Sequence, residues 1–124
     1  MLKDSKGFSG FSVKDLAAAR AFYEGTLGLE VEEGAMGLTL KVPGTNGIFI
    51  YQKDDHAPAT YTILNFPVDD IDQAVAGLKD KGVVFEHYKD MTDENGIARG
   101  RAHNAGPDIA WFTDPSGNVL SVLH

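Results

Sequence analysis

Histidine and arginine side chains are the first candidates for chemistry in this sequence. His103 lies in a long polar segment with Arg99 and Arg101, where it could reach the mouth of a cavity and meet an anionic ligand. The same side chains would be solvated if the segment is an ordinary exposed loop. The four histidines lack the spacing of a zinc site, and the chain has no cysteine. Any catalysis would therefore use oxygen and imidazole groups.

Two acidic stretches resemble metal-binding sites, but the residues around them argue against metal binding. Asp54-Asp55-His56 is followed by Ala57-Pro58, which favours a solvated connector. Residues 93–96 resemble part of a calcium loop, but an EF-hand would need acids at Met91 and Ala102. No nucleotide-binding loop and no Gly-x-Ser-x-Gly elbow is present. The motifs thus exclude several common enzyme classes.

The composition of the chain excludes further classes of function. A chain of 124 residues is long enough to bury the core of one domain. The formal charge of −7 and the scattered basic residues exclude nucleic acid as an expected partner. No apolar stretch is long enough to cross a bilayer, and residues 1–6 lack the apolar core of a signal peptide. We expect a cytoplasmic protein that does not bind membranes.

The hydrophobic pattern predicts the elements that would position the candidate side chains. Residues 8–13 alternate as a strand does, and Asp15 caps a helix with one apolar face. Three further strands are predicted at residues 29–33, 36–42 and 48–53, separated by glycine-containing turns. The first half is therefore predicted to be a βαβββ module.

The second half repeats this order. Val13-Lys14-Asp15-Leu16 matches Val68-Asp69-Asp70-Ile71, which indicates an internal duplication. Asp70 would cap the second helix. Residues 89–107 have no clear period, and a loop of this length in a compact domain is more often functional or mobile than idle. The remaining strands are predicted at residues 83–88, 108–113 and 118–123.

Both ends of the chain carry the motifs of a known family. Val13-Lys14-Asp15-Leu16, followed by Phe22-Tyr23 and Leu27-Gly28-Leu29, resembles the opening of a vicinal oxygen chelate domain, and residues 111–118 resemble its closing hairpin. The superfamily includes glyoxalase I, bleomycin-resistance proteins and extradiol dioxygenases. The resemblance implies one α+β domain of residues 1–124. Its two βαβββ modules, at about residues 7–54 and 59–124, would form a curled, cup-shaped mixed sheet with helices outside, usually in a homodimer.

The resemblance also identifies where a metal would be held. Enzymes of this superfamily commonly bind one divalent ion with side chains from the first and fourth strands of each module. Here those positions fall on Phe8, on Ile63, on Ser121 and within residues 48–52, which contain no acid or histidine. Hydrocarbon side chains donate no lone pair, and a single hydroxyl is a poor ligand. We therefore expect no metal and no other cofactor.

Aromatic and polar side chains would line the cavity instead. Strand alternation would place Tyr61 and Asn65 on the same face as Ile63. Aromatic rings could form flat walls for a planar or apolar ligand, or they could fill the core or a dimer interface. The predicted ligand-binding residues are Phe8, Tyr51, Tyr61, Ile63, Asn65, Arg101, His103, Trp111 and Ser121.

Three functions are consistent with these residues. The first is metal-independent binding of a small molecule, with resistance by sequestration of a toxic or antibiotic compound. The second is a lyase, isomerase or dioxygenase of the same superfamily, with an atypical metal site or with acid/base chemistry from Glu86, His103 or Tyr51. The third is action through a protein partner, with a residual cavity. Metal content separates the first two.

Overall fold

A computed structural model describes all 124 residues and divides them into two units, Met1–Ala57 and Pro58–His124. The first unit contains one α-helix, a short 3₁₀ turn, a π-helical turn and four strands. Its sheet has the order β1-β4-β3-β2, with β1 parallel to β4 and the other pairs antiparallel. The elements are β1 (Ser9–Val13), α1 (Leu16–Arg20), β2 (Glu30–Glu33), β3 (Leu38–Lys41) and β4 (Ile48–Gln52).

The first helix begins as predicted and then widens. The Asp15 side chain accepts a hydrogen bond from the backbone N–H of Ala18 at 3.1 Å, which caps α1. From Ala21 to Thr26 the chain forms a π-helical turn, in which Leu27 N–H donates to the Phe22 carbonyl at 2.9 Å. The wider turn was not predicted, because a three- and four-residue apolar spacing cannot distinguish it from an α-helix.

One face of the first sheet is buried in the core of this unit, and the opposite face is more exposed to solvent. Val13, Leu40 and Ile50 are completely buried, as are Ala19 and Tyr23 of the helical segment. The alternating positions of β1, β3 and β4 are at most half-buried, which is the period-two pattern of a sheet with one covered face.

The second unit repeats the architecture. Its strand order is β5-β8-β7-β6, with β5 parallel to β8 and the other pairs antiparallel. Asp70 caps the helix by accepting from Gln73 N–H at 3.0 Å. The helix contacts β7 and β8. The elements are β5 (Thr62–Pro67), α2 (Ile71–Asp80), β6 (Ile97–Arg99), β7 (Asp108–Thr113) and β8 (Val119–Leu123).

The predicted strand at residues 83–88 is wrong. This segment makes only one isolated bridge, between Phe85 and Phe112, together with a hydrogen bond from Glu86 N–H to the Trp111 carbonyl at 2.8 Å. The chain then leaves the sheet and returns as β6, which pairs with β7 inside the segment predicted to be a loop. Ile97 is 1% exposed, so its burial beside β7 accounts for the return.

The α+β class and the two βαβββ modules are confirmed. Both sheets are mixed and open, and each carries its helix between the first two strands of the module in sequence. Neither helix is long and apolar enough to span a bilayer.

Candidate functional site

A pocket of about 630 Å³ lies in the second unit and is named here the loop pocket. It is lined by residues 90–93, 97–100, 103, 105, 107, 109 and 111. Most of these belong to the segment between α2 and β7, for which the sequence predicted a functional loop. The volume lies in the range of about 300 to 1,000 Å³ that is usual for small-molecule sites.

The floor of the loop pocket is apolar and contains an indole. Ile109 and Trp111 are two residues apart on β7 and therefore project from the same face, which Ala98 of β6 shares as the cross-strand partner of Ile109. The Tyr88 ring meets the Trp111 ring edge-on, with centroids 5.5 Å apart and an interplanar angle of 79°. This is a favourable aromatic geometry, and it orients the indole. A flat, apolar molecule could therefore pack on Trp111.

Arg99 lies in the pocket lining but is fully engaged with carboxylates. Its guanidinium donates to both carboxylate oxygens of Asp72 on α2, at 2.6 and 3.2 Å, and to Asp93 at 3.1 Å. Asp108 adds an ion pair at 3.9 Å. The hydrogen bonds from Arg99 hold the pKa of Asp72 below its usual value. Arg99 therefore anchors the loop and is not available to an anionic ligand.

Asp93 organises the first half of the loop. One of its carboxylate oxygens accepts from the N–H groups of Asn95 and Ile97, at 2.9 and 3.0 Å. Burial alone would raise the pKa of Asp93, but these two backbone donors together with Arg99 outweigh it, so the pKa lies below its usual value. The carboxylate thus remains charged and ties the loop to β6.

A tight turn shapes the second half of the loop. After Gly100 the chain forms a single 3₁₀ turn, Arg101–His103, and Asn104 follows with a left-handed φ of 51°. Arg101 N–H donates to the Asp108 side chain at 3.0 Å. This geometry places His103 in the pocket lining, whereas Arg101 is exposed and does not line it.

Three of the predicted ligand contacts lie side by side on the second sheet. Ser121 on β8 is the cross-strand partner of Asn65 on β5 and of Trp111 on β7. Directly paired residues share a face, so the three form a row across the sheet. The Ser121 hydroxyl is completely buried and donates to Asn65 Oδ1 at 2.6 Å. This bond uses the Asn65 amide oxygen, so the Asn65 amide nitrogen is the end of that side chain that can donate to a ligand.

The predicted alternation around Ile63 is interrupted. Thr62 pairs with Val119 and Leu64 pairs with Leu120, so two steps along β5 match one step along β8. This is a β-bulge at Ile63, where the period-two pattern does not continue. Tyr61 precedes β5 and is 70% exposed. The inference that Tyr61, Ile63 and Asn65 share one face therefore does not follow from strand alternation.

The remaining predicted residues belong to the first unit. Phe8 lies immediately before β1 and is 69% exposed. Tyr51 on β4 is half-buried and stacks on Phe49, with ring centroids 5.9 Å apart. Its cross-strand partner is Ser12, whose hydroxyl lies 2.6 Å from the Nδ1 atom of His56.

Two side-chain contacts in the structure were not predicted from the sequence. His56 was interpreted as part of a solvated connector, but it is half-buried and hydrogen-bonded to Ser12. Arg99 was considered only as a neighbour of His103 in the long polar segment, but it pairs with Asp72, which precedes it by 27 residues. Neither contact has a local sequence signal, because each depends on how distant segments pack.

Comparison with known proteins identifies the family. The family model of the glyoxalase/bleomycin resistance protein/dioxygenase superfamily matches residues 9–122. The chain belongs to this superfamily. None of the curated proteins with which the sequence was compared matches it.

Solved structures of similar proteins have the same fold. A glyoxalase family protein from Enterococcus faecalis is 21% identical, with 100% of both chains covered and a TM-score of 0.71. A superfamily member from Sphaerobacter thermophilus is 25% identical, covering 99% of this chain and 98% of the other, with a TM-score of 0.70. TnmS3, an antibiotic-binding protein from Streptomyces sp. CB03234, is 22% identical, covering 99% and 97%, with a TM-score of 0.69.

The residues at the positions where the sequence resemblance predicts metal ligands do not fit a divalent ion. Phe8 and Ile63 offer only hydrocarbon, and the Ser121 hydroxyl already donates to Asn65. Strand β4, Ile48–Gln52, supplies no acid or imidazole. No group of three or more histidine, aspartate and glutamate side chains is arranged to hold a metal. The usual donor set of the superfamily is therefore missing from these positions.

Proposed function

We propose that the chain is a metal-independent small-molecule-binding protein of the glyoxalase/bleomycin-resistance type and that the loop pocket is its binding site. The observation that carries this proposal is the apolar floor of Trp111, Ile109 and Ala98 in a pocket of about 630 Å³. Sequestration requires only a complementary surface, because no bond of the ligand is broken. The antibiotic-binding function in the name of TnmS3 supports a toxic or antibiotic compound as the ligand class.

The donor chemistry supports the absence of a metal. Phenyl, alkyl and already-bonded hydroxyl groups occupy the positions where metal-dependent relatives need lone pairs. The acidic side chains around the loop pocket are also committed, since Asp72, Asp93 and Asp108 surround Arg99. A divalent ion would have to displace a guanidinium that holds the loop in place.

We also propose that the two units form one domain of residues 1–124 in a cytoplasmic homodimer. The exposed aromatic rings of Phe8 and Tyr61 support an interface between copies. Nucleic acid remains an unfavourable partner for a chain with a formal charge of −7. Three of the proposed contacts have specific support: His103 and Trp111 line the loop pocket, and Asn65 accepts a hydrogen bond from Ser121.

The lone tryptophan provides the test. Trp111 is the only indole in the chain, so its emission reports on the loop pocket when excitation avoids tyrosine absorption. N-Phenyl-1-naphthylamine is a neutral aromatic dye that absorbs where indole emits. We expect it to quench Trp111 saturably through energy transfer at one site per chain.

A pair of matched variants assigns the binding site. Ala105 is exposed at the pocket rim, whereas Ala76 is exposed on α2 and outside the lining. Ala105→Phe should weaken dye binding severalfold, and Ala76→Phe should leave it unchanged. Equal effects of the two variants, or the absence of saturable quenching, would refute the loop pocket as the site.

Elemental analysis tests the metal-independent part of the proposal. The protein should be purified untagged and without chelators, then examined by native mass spectrometry for a co-purified organic molecule. A stoichiometric transition metal would contradict metal independence. Chemical conversion of a bound compound would instead support the lyase, isomerase or dioxygenase alternative.

A further inference from the structure

A serine and a histidine of the first unit form a pair outside the loop pocket. The Ser12 hydroxyl lies 2.6 Å from the Nδ1 atom of His56, which follows it by 44 residues. A neutral imidazole with its proton on Nε2 has a lone pair on Nδ1, which accepts the hydroxyl hydrogen at this distance. The pair therefore combines an oxygen nucleophile with a base in hydrogen-bond contact, the arrangement that activates serine for attack on acyl groups.

Main-chain hydrogen bonds bring His56 next to Ser12. Lys53 N–H donates to the Val13 carbonyl at 2.9 Å, which extends the contact between β1 and the chain that leaves β4. His56 N–H then donates to the Lys53 carbonyl at 3.1 Å and closes a turn. The Ser12 and His56 side chains are only half-buried, so water could satisfy either of them and burial does not require the bond between them.

Two aromatic rings lie on the same face of the sheet as the Ser12 hydroxyl. Tyr51 is the cross-strand partner of Ser12, so the two side chains project from one face. Phe49 precedes Tyr51 by two residues on β4 and shares that face, and its ring stacks on the Tyr51 ring with an interplanar angle of 19°. Both rings are half-buried and offer apolar surface to the organic part of an acyl compound.

We propose that Ser12 is a nucleophile that takes an acyl group from aryl esters, with His56 as its general base. Ser12 Oγ attacks the carbonyl carbon, and His56 Nδ1 takes the hydroxyl proton. The bond from the carbonyl carbon to the phenolic oxygen then breaks, and the phenolate leaves with the bonding electron pair. The products are an acyl ester on Ser12, a phenolate and an imidazolium that releases its proton to solvent.

The choice of aryl esters follows from the chemistry of the face. A phenolate is a stable leaving group, so the ester needs little further activation, and an aryl ring can pack on the rings of Phe49 and Tyr51. This inference concerns the first unit and is independent of the ligand of the loop pocket.

p-Nitrophenyl acetate is the probe, used on the full chain. The absorbance of the released p-nitrophenolate follows the reaction, and peptide mass spectrometry after a short incubation locates the acetyl group. We expect Ser12 to carry about one acetyl group per chain before the lysines react appreciably. The same incubation in urea is the control, because unfolding separates Ser12 from His56 and should reduce Ser12 to the reactivity of the other serines.

Matched variants separate the nucleophile from the base. Ser12→Ala should abolish the rapid release of p-nitrophenolate, whereas Ser9→Ala removes an exposed hydroxyl of the same strand and should not change it. His56→Gln keeps an acceptor for the Ser12 hydroxyl but removes the base, so acetylation of Ser12 should slow about a hundredfold. His87→Gln removes an exposed imidazole of the second unit and should not alter the rate.

The outcomes distinguish a nucleophile from a purely structural hydrogen bond. Acetylation of the lysines alone, or of Ser9 as fast as Ser12, refutes the nucleophile. An unchanged rate in His56→Gln refutes the general base. The mapping on the unmodified protein decides the first point even if Ser12→Ala fails to fold. Neither result affects the loop pocket, which dye binding tests separately.

Discussion

Gly100 offers the most direct test of how the loop pocket is closed. Its φ of −60° suits any residue, so backbone strain is not the reason for glycine. A Cβ atom there would lie 2.5 Å from the carbonyl oxygen of Pro107, 2.9 Å from that of Gly106 and 3.1 Å from that of Ala105. All three atoms are backbone atoms of the loop, so no side-chain rotation can relieve the contacts.

The cost of Gly100→Ala follows from these distances. Carbon–oxygen contacts are tolerated from about 3.3 Å, so the Pro107 oxygen would have to move by roughly 0.8 Å. Forcing one extra methyl group into a packed site costs about 1–3 kcal/mol. For a chain of 124 residues this corresponds to a decrease in Tm of about 4–12 °C, with an unfolding entropy near 2.1 cal/mol/K per residue. Because the displaced atoms belong to the pocket wall, dye binding monitored by Trp111 emission should also weaken.

Gly77→Ala is the matched control, since it adds the same methyl group in the same unit. Gly77 lies in α2, is exposed, and has no atom within 4 Å of its ideal Cβ position. Alanine should therefore stabilise the helix by about 0.5–1 kcal/mol. Thermal unfolding followed by circular dichroism measures both variants. If Gly100→Ala unfolds within 1 °C of the unmodified protein, with unchanged dye affinity, the close approach of the loop to Gly100 is refuted; the 1 °C limit is roughly a quarter of the smallest expected shift.

Two further predictions concern the polar groups of the second unit. The Ser121–Asn65 hydrogen bond should give a coupling of about 1 kcal/mol in a double-mutant cycle of Ser121→Ala and Asn65→Ala; additive free energies of unfolding would contradict it. Asp93 has a lowered pKa in the folded chain, so its stabilising effect is present above the unfolded value of about 3.9 and is lost as pH falls through the lower folded value. Asp93→Asn should therefore be less stable at neutral pH and should flatten the stability profile below about pH 4; a Tm–pH curve parallel to that of the unmodified protein would argue against this role for Asp93.

Features that depend on local chemistry were predictable from the sequence. The helix caps at Asp15 and Asp70 need only a carboxylate and the N–H group three residues later. The turn at Asp114 is also local, since its side chain accepts from the N–H groups of Ser116 and Asn118 at 2.8 and 3.0 Å. For the same reason the motifs of the family could be recognised from short stretches of sequence.

Features that depend on distant packing were not predictable. Strand β6 has only three residues, which is too short for a period to be detected, and it forms because β7 offers a free edge. The bulge at Ile63 shifts β5 against β8 without any glycine or proline to mark it. The anchoring of the loop depends on the approach of Asp72 to Arg99, which hydrophobic patterns do not encode.

Two separate segments of the chain are bonded to one edge of β7, and this arrangement affects how new ligand specificities could arise. The chain departs after Glu86 and rejoins at Ile97, and both attachment points are hydrogen-bonded to the same strand. The free-energy cost of closing a loop grows only logarithmically with its length. Insertions between the two attachment points would therefore destabilise the sheet very little. Natural variation or laboratory grafting within residues 89–92, which leaves Tyr88 and Asp93 in place, would thus exchange one wall of the pocket while the duplicated sheets stay constant.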